Sequence, residues 1–135
     1  MIIIIYEINT GKIIRVNDIP ESMKNKQVQE GEAYIEENSY YLDTEYYIDI
    51  SSEFPIVACK SEIETVFDKN IIIANDIDTA TIKKLPDDCI IKINDISYNV
   101  IDNIFQLTVT LPGIYNIEII KFPFLTKEVQ IEGIM

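Results

Sequence analysis

Apolar and polar positions alternate along most of this chain with a period of two, the period of a β-strand that buries one face. The clearest stretch runs from Phe105 to Ile119, FQLTVTLPGIYNIEI. Phe105, Leu107, Val109 and Leu111 alternate there with Gln106, Thr108 and Thr110, so the first row is expected in a core and the second in water. Pro112-Gly113 interrupts the ladder, because Pro has no N–H to donate and Gly accepts a left-handed backbone. The next strand sends Tyr115, Ile117 and Ile119 to one side. The same reading predicts seven short strands, at 70–73, 79–82, 89–93, 97–100, 105–110, 114–120 and 128–131. Turn signals separate them: Asn75-Asp76, Pro86-Asp87-Asp88, Asn94-Asp95, Asp102-Asn103 and Pro112-Gly113. Asn and Asp stand where Gly is more usual, and they tolerate a left-handed φ at some cost.

Seven short strands at this spacing predict a β-sandwich. Tyr115 sits just inside the start of the penultimate strand, a placement that resembles the tyrosine corner of immunoglobulin-like sandwiches, where the hydroxyl bonds an upstream backbone group. The first half reads differently. Strands at 2–8 and 12–16 form a hairpin around Asn9-Thr10-Gly11, with Gly available for positive φ. Pro20-Glu21-Ser22-Met23 starts one helical turn, with Asp18 near an N-cap position. Short strands follow at 32–36 and 46–50, the latter alternating Tyr46, Ile48 and Ile50 with Tyr47 and Asp49. Residues 51–64 show no clean period and contain Pro55, although Pro55-Ile56-Val57-Ala58 is apolar enough to lie along a neighbouring surface. The expected organisation is therefore mainly β: a small N-terminal β-hairpin unit at 1–50, a linker at 51–65 and a C-terminal immunoglobulin-like β-sandwich at 66–135.

Charge and composition narrow the chemistry. The 135 residues hold 23 acidic against 11 basic side chains, a formal net charge of −12. Phosphate neutralisation needs clustered Lys and Arg, so nucleic acid is not an expected partner, and an anionic membrane is equally disfavoured. Met1-Ile2-Ile3-Ile4-Ile5 is apolar but too short for a signal peptide or a span, and Glu7 closes it. The expected place of synthesis and assembly is a cytoplasm. Cys59 and Cys89 have no metal-ligand spacing; Cys89 is expected as a buried strand thiol and Cys59 near the linker.

No His is present, which excludes His-based triads and His metal sites, and there is no nucleotide-binding glycine loop. Adjacent acids such as Glu36-Glu37 and Asp87-Asp88 point to opposite faces of a strand or form turns, so no catalytic residue is nominated and an enzyme is not expected. Asp76, Asp78, Asp87, Asp88, Asp95 and Asp102 all fall at turns, where turn chemistry explains them without calcium. No metal ligand and no cofactor is expected. The residues that invite a functional reading are apolar. Ile2–Ile5 is a continuous apolar run that a two-stranded hairpin cannot cover on both faces alone. Tyr34, Tyr40, Tyr41, Tyr46 and Tyr47 offer amphipathic rings of the kind interfaces favour, although about half would fill a small core. Ile2, Ile4 and these five Tyr form the expected interface, through which the first half docks to a partner or a second copy.

Beyond periodicity, several runs resemble a C-terminal domain carried by small proteins of tailed bacteriophages. They are Ile73-Ala74-Asn75-Asp76-Ile77-Asp78-Thr79-Ala80-Thr81-Ile82, then Leu85-Pro86-Asp87-Asp88-Cys89, Leu111-Pro112-Gly113-Ile114-Tyr115 and Phe122-Pro123-Phe124-Leu125. Tyr6, Thr10-Gly11-Lys12-Ile13, Gly31-Glu32 and Glu45-Tyr46-Tyr47-Ile48-Asp49 resemble the first unit of the same proteins. The family would place Gly where this chain has Asp76, Asp95 and Asn103. The resemblance implies a structural role in the virion, tail- or fibre-associated, in several copies or as a homo-oligomer among other virion proteins. It carries no list of site residues. A capsid-decorating protein is the alternative within that class, and a carbohydrate-binding module for host-surface glycans the alternative outside it. The second half offers only Tyr98 and Tyr115 as Tyr for a sugar platform, and Tyr115 is needed for the corner.

Overall fold

The computed structural model describes all residues from Met1 to Met135 and divides into two compact units, Met1–Ser61 and Glu62–Met135. Each is described by itself.

In the first unit, β1 (Ile2–Glu7) is the central strand of a sheet ordered β2-β1-β3, with β2 at Ile13–Asp18 and β3 at Glu32–Glu37. The expected hairpin is present, and Gly11 adopts φ +82° in its loop. A bulge between Ile5 and Tyr6 lets Tyr6 pair with Ile13 and turns Ile14 outward. Ile4, Tyr6 and Ile13 then share one face and pack with Ile48 on β4 (Tyr46–Asp49), which pairs antiparallel with β5 (Ile56–Cys59). The opposite face carries Ile3 and Ile5, flanked in register by Arg15, Asn17, Tyr34 and Glu36. Those four side chains fasten the 3-10 turn Glu21–Lys26 and its exit across that face. Arg15 donates to the Gln27 carbonyl, Asn17 to Gln27 Oε1 (3.3 Å), Tyr34 to Asn25 Oδ1 (3.0 Å), and Lys24 to Glu36 (2.9 Å).

Two expectations for this unit need correction. Residues 51–65 are not a linker: β5 lies within them and Val57 packs against the core, while Ile63 is buried in the second unit's core. β5 shows no readable alternation because it is only four residues long and follows Pro55. Asp18 does not cap the helical turn, whose N-cap is Pro20; its carboxylate accepts a hydrogen bond from the N-terminal ammonium at 3.1 Å.

The second unit is a sandwich of two sheets. One is ordered β10-β9-β12-β13-β7 and the other β11-β8-β6. Their ranges are β6 Val66–Phe67, β7 Ile71–Ile73, β8 Ala80–Lys83, β9 Cys89–Ile93, β10 Ile96–Val100, β11 Phe105–Leu107, β12 Gly113–Ile120 and β13 Lys127–Ile134. All pairings are antiparallel except β13 with β7. Ile72, Ile91, Ile117, Ile119 and Ile131 from the larger sheet meet Ala80 and Ile82 from the smaller one in a single core. Cys89 is buried there as expected, which pushes its thiol pKa up, and both cysteines are free. The expected turns hold. Asp76, Asp88, Asn94, Asp95 and Asn103 all adopt positive φ, including the three positions where the resembled family would have Gly.

The alternation from Phe105 holds in its register but ends sooner than expected. Val109, Ile117 and Ile119 are buried, Phe105 and Leu107 are half-buried, and Gln106, Thr108 and Thr110 face solvent. β11 stops at Leu107 because its partner β8 begins at Ala80, opposite Leu107. Before Ala80 the chain is an Asx turn, with Asn75 Oδ1 accepting from the amides of Ile77 (2.9 Å) and Asp78 (2.8 Å). Leu111 was expected in the inward row and is exposed instead, since the chain has already turned away from both sheets there. Its carbonyl accepts a hydrogen bond from the Tyr115 hydroxyl at 2.7 Å, four residues upstream of the ring. That is the bond expected of Tyr115.

Candidate docking surfaces

The seven nominated interface residues are distributed by the fold into different roles. Ile4 is fully buried in the first unit's core and cannot meet a partner; it is removed from the candidate surface. The reason is that β1 is a central strand, covered on one side by β4 and on the other by the fastened 3-10 turn, so Ile2–Ile5 needs no external cover. Ile2 is half-buried at the strand's start. Tyr41 and Tyr46 pack against the core edge to face, ring centroids 4.9 Å apart. Tyr34 is half-buried and spends its hydroxyl on Asn25. Tyr47 is half-buried on β4. Only Tyr40 is freely exposed, at 57%, with Leu42 beside it in the loop before β4.

The most exposed large apolar side chain of this unit lies outside that set. The β4–β5 connection presents Phe54, 76% exposed, together with Ile50 before it and Ile56 (57% exposed) after it. This tip is held rather than loose. Asp49 closes β4 by accepting from Ser51 twice, amide at 2.9 Å and hydroxyl at 2.6 Å, and those bonds hold its carboxyl below the usual range. Ser52 Oγ donates to the Phe54 carbonyl at 3.0 Å. The signal in the sequence was turn composition: Ser51-Ser52-Glu53-Phe54-Pro55 puts one aromatic among turn formers between two short apolar runs. A large apolar ring on an ordered hairpin tip loses little conformational entropy on docking, which makes it a better anchor than a mobile one.

No three His, Cys, Asp or Glu side chains converge in a way that could hold a metal ion. The turn carboxylates are used locally. Asp78 takes an ion pair from Lys69 and the Ile73 amide (2.8 Å), which lower its pKa, while Asp76 accepts from Thr108 and Asp87 from Asn103. No helix is long and apolar enough to cross a membrane. Compared with protein-family models, curated proteins and solved structures, the chain finds no match.

Proposed function

We propose that this protein is a non-enzymatic structural component of a bacteriophage particle, tail- or fibre-associated, that acts by docking to other virion proteins. The observation that carries the docking part is Phe54, 76% exposed on its hydrogen-bonded hairpin tip and flanked by Ile50 and Ile56. The particle assignment rests on the short runs that resemble tailed-phage proteins. An immunoglobulin-like reading of the second unit agrees with it. Three features support that reading: a larger sheet of β10-β9-β12-β13-β7, a smaller one of β11-β8-β6, and the Tyr115 bond at the start of β12. In this reading the first unit is the anchor and the sandwich the projecting module.

The test is mass spectrometry of purified particles of the source phage, followed by complementation with tagged wild-type chain or Phe54→Ser. The expected result is the wild-type chain in the tail fraction and loss of incorporation for the variant, with an unchanged far-UV circular dichroism spectrum. Absence of the chain from particles overturns the virion assignment. Incorporation of Phe54→Ser at wild-type level overturns the role given to the hairpin tip.

A further inference from the structure

The open side of the sandwich carries an inference that does not depend on the particle assignment. β10 is an edge strand, paired only with β9. The two-residue turn Asn94-Asp95, with φ of +44° and +72°, joins the pair Ile93 and Ile96. In a hairpin of this type the flanking pair is hydrogen-bonded and bonded pairs alternate thereafter. Ile96, Tyr98 and Val100 therefore bond β9, whereas Ser97 and Asn99 turn their N–H and C=O groups to the vacant edge. Residues 96–99 are all exposed.

Natural edges are blunted by charge, Pro, bulges or shortness. In this chain β3 carries Glu32, Glu36 and Glu37, and β2 carries Arg15 and Asp18. β6, β7 and β11 have three residues or fewer, and β5 is bracketed by Pro55 and Lys60. β10 has five residues, Ile-Ser-Tyr-Asn-Val, with no charge, no Pro and no irregularity in its register. Its core-facing side is also incompletely covered. Ile96 is 59% and Tyr98 43% exposed over a groove of about 280 Å³ that reaches Leu107, Thr108 and Tyr115. The Phe105 ring lies 5.7 Å from that of Tyr98, at the open side where the smaller sheet ends at β11.

We infer that β10 pairs antiparallel with β10 of a second copy, joining two five-stranded sheets across a two-fold axis. The register follows from the free groups. Ser97 of one copy meets Asn99 of the other, twice by symmetry, giving four backbone hydrogen bonds, and Tyr98 meets Tyr98 on the axis as a non-bonded pair. Ile96 then lies opposite Val100, while Asn94-Asp95 in the turn and Asp102 in the bend lie beyond the paired strands. No carboxylate lies within the paired stretch. For a chain of net charge −12 that decides the occupant, since 96–101 is an uncharged, self-complementary approach by which a second copy avoids like-charge repulsion. The pairing also covers Ile96, Tyr98 and Ile101, the exposed apolar side chains of this edge.

The test is sedimentation of the full-length chain over a concentration series, with Ser97→Pro and Asn99→Lys. Neither substitution removes a bond to β9, because both residues face the vacant edge. The expected result is a mass rising from 15.6 kDa towards twice that value in the wild type and staying at the lower value in both variants, with the Asn99→Lys thermal midpoint unchanged at dilutions where the wild type is monomeric. Register is read by mild oxidation in a Cys59→Ser background. Tyr98→Cys should cross-link to its copy, and Ser97→Cys should not, because its symmetry mate is displaced along the strand beyond disulfide reach. A wild-type chain that stays monomeric throughout overturns self-pairing and leaves the edge to an extended segment of another protein. Dimers that persist in Asn99→Lys, or cross-link through Ser97→Cys, overturn this edge or this register.

Discussion

The Gly11 carbonyl accepts a hydrogen bond from the Ile48 amide at 2.8 Å, and a Cβ on Gly11 would overlap the Ile48 carbonyl oxygen. The first hairpin's loop is thus packed directly on the backbone of β4, and only a residue without a side chain permits it. Gly11→Ala is expected to cost about 1–3 kcal/mol for the left-handed backbone alone, with the overlap added to that. Gly31, at φ +81° with open space around it, is the control. Gly31→Ala should show the backbone cost only. Urea denaturation of both variants checks the difference, and equal midpoints would remove the packing argument.

Tyr115→Phe should lose about 1 kcal/mol, the usual net value of one hydrogen bond. The lost bond is that to the Leu111 carbonyl. The ring stays half-buried against the core, so packing is conserved and the loss isolates the hydroxyl. Chemical denaturation resolves a change of this size; an unmoved midpoint would show that water replaces the bond without cost.

Ile117 and Phe105 both line the sandwich core but differ in cover. Ile117→Ala should destabilise by about 2–5 kcal/mol, the range for truncating a buried aliphatic residue to a cavity. Phe105 is half-buried at the open side, where truncation exposes surface to water rather than leaving a sealed void. Phe105→Ala should therefore fall below about 3 kcal/mol, under the range for a fully buried Phe. A reversed order would mean that the open groove is covered in solution.

The Glu32 carboxyl sits below the usual carboxylate range, chiefly because the Arg15 guanidinium hydrogen-bonds it, with the Gln29 amide adding to that. Its folded pKa is depressed, so the stability it contributes is present above the unfolded value of about 4.3. That contribution is lost as pH falls through the folded pKa. The same Arg15 holds the Gln27 carbonyl over the Ile3 and Ile5 face, so acid should loosen the cover of that face first. Hydrogen exchange at Ile3 and Ile5 should rise as pH drops below about 4, after correction for the intrinsic rate. In Glu32→Gln the rise should be absent; an identical profile in that variant would assign the acid response elsewhere.

Much of the strand pattern was legible because it depends on neighbours close in sequence. Alternation located seven strands of the sandwich, and Asn-Asp chemistry placed the left-handed turns at Asp76, Asp88, Asn94, Asp95 and Asn103. Tyr115 could be assigned its bond because the acceptor lies only four residues away. The candidate site was less legible. Of the residues expected at an interface Tyr40 is exposed and Ile4 is buried, while Phe54, outside that set, is more exposed than either.

Periodicity by itself determined which residues share a face. Whether that face is covered was decided by strands that come from elsewhere in the chain. Ile4 is buried because β4, more than forty residues on, lies over it, and Ile3 and Ile5 because Arg15, Asn17, Tyr34 and Glu36 tie a 3-10 turn across them. β5 was invisible until it paired with β4, since four residues carry too little alternation to be read without their partner. Leu111, Ile96 and Tyr98 belong to apolar rows yet stand in solvent, because β8 begins at Ala80 and no strand flanks the outer edge of β11. Local sterics and turn chemistry act over a few residues and are written in order along the chain; burial depends on which distant strand arrives, and only the assembled sheets decide that.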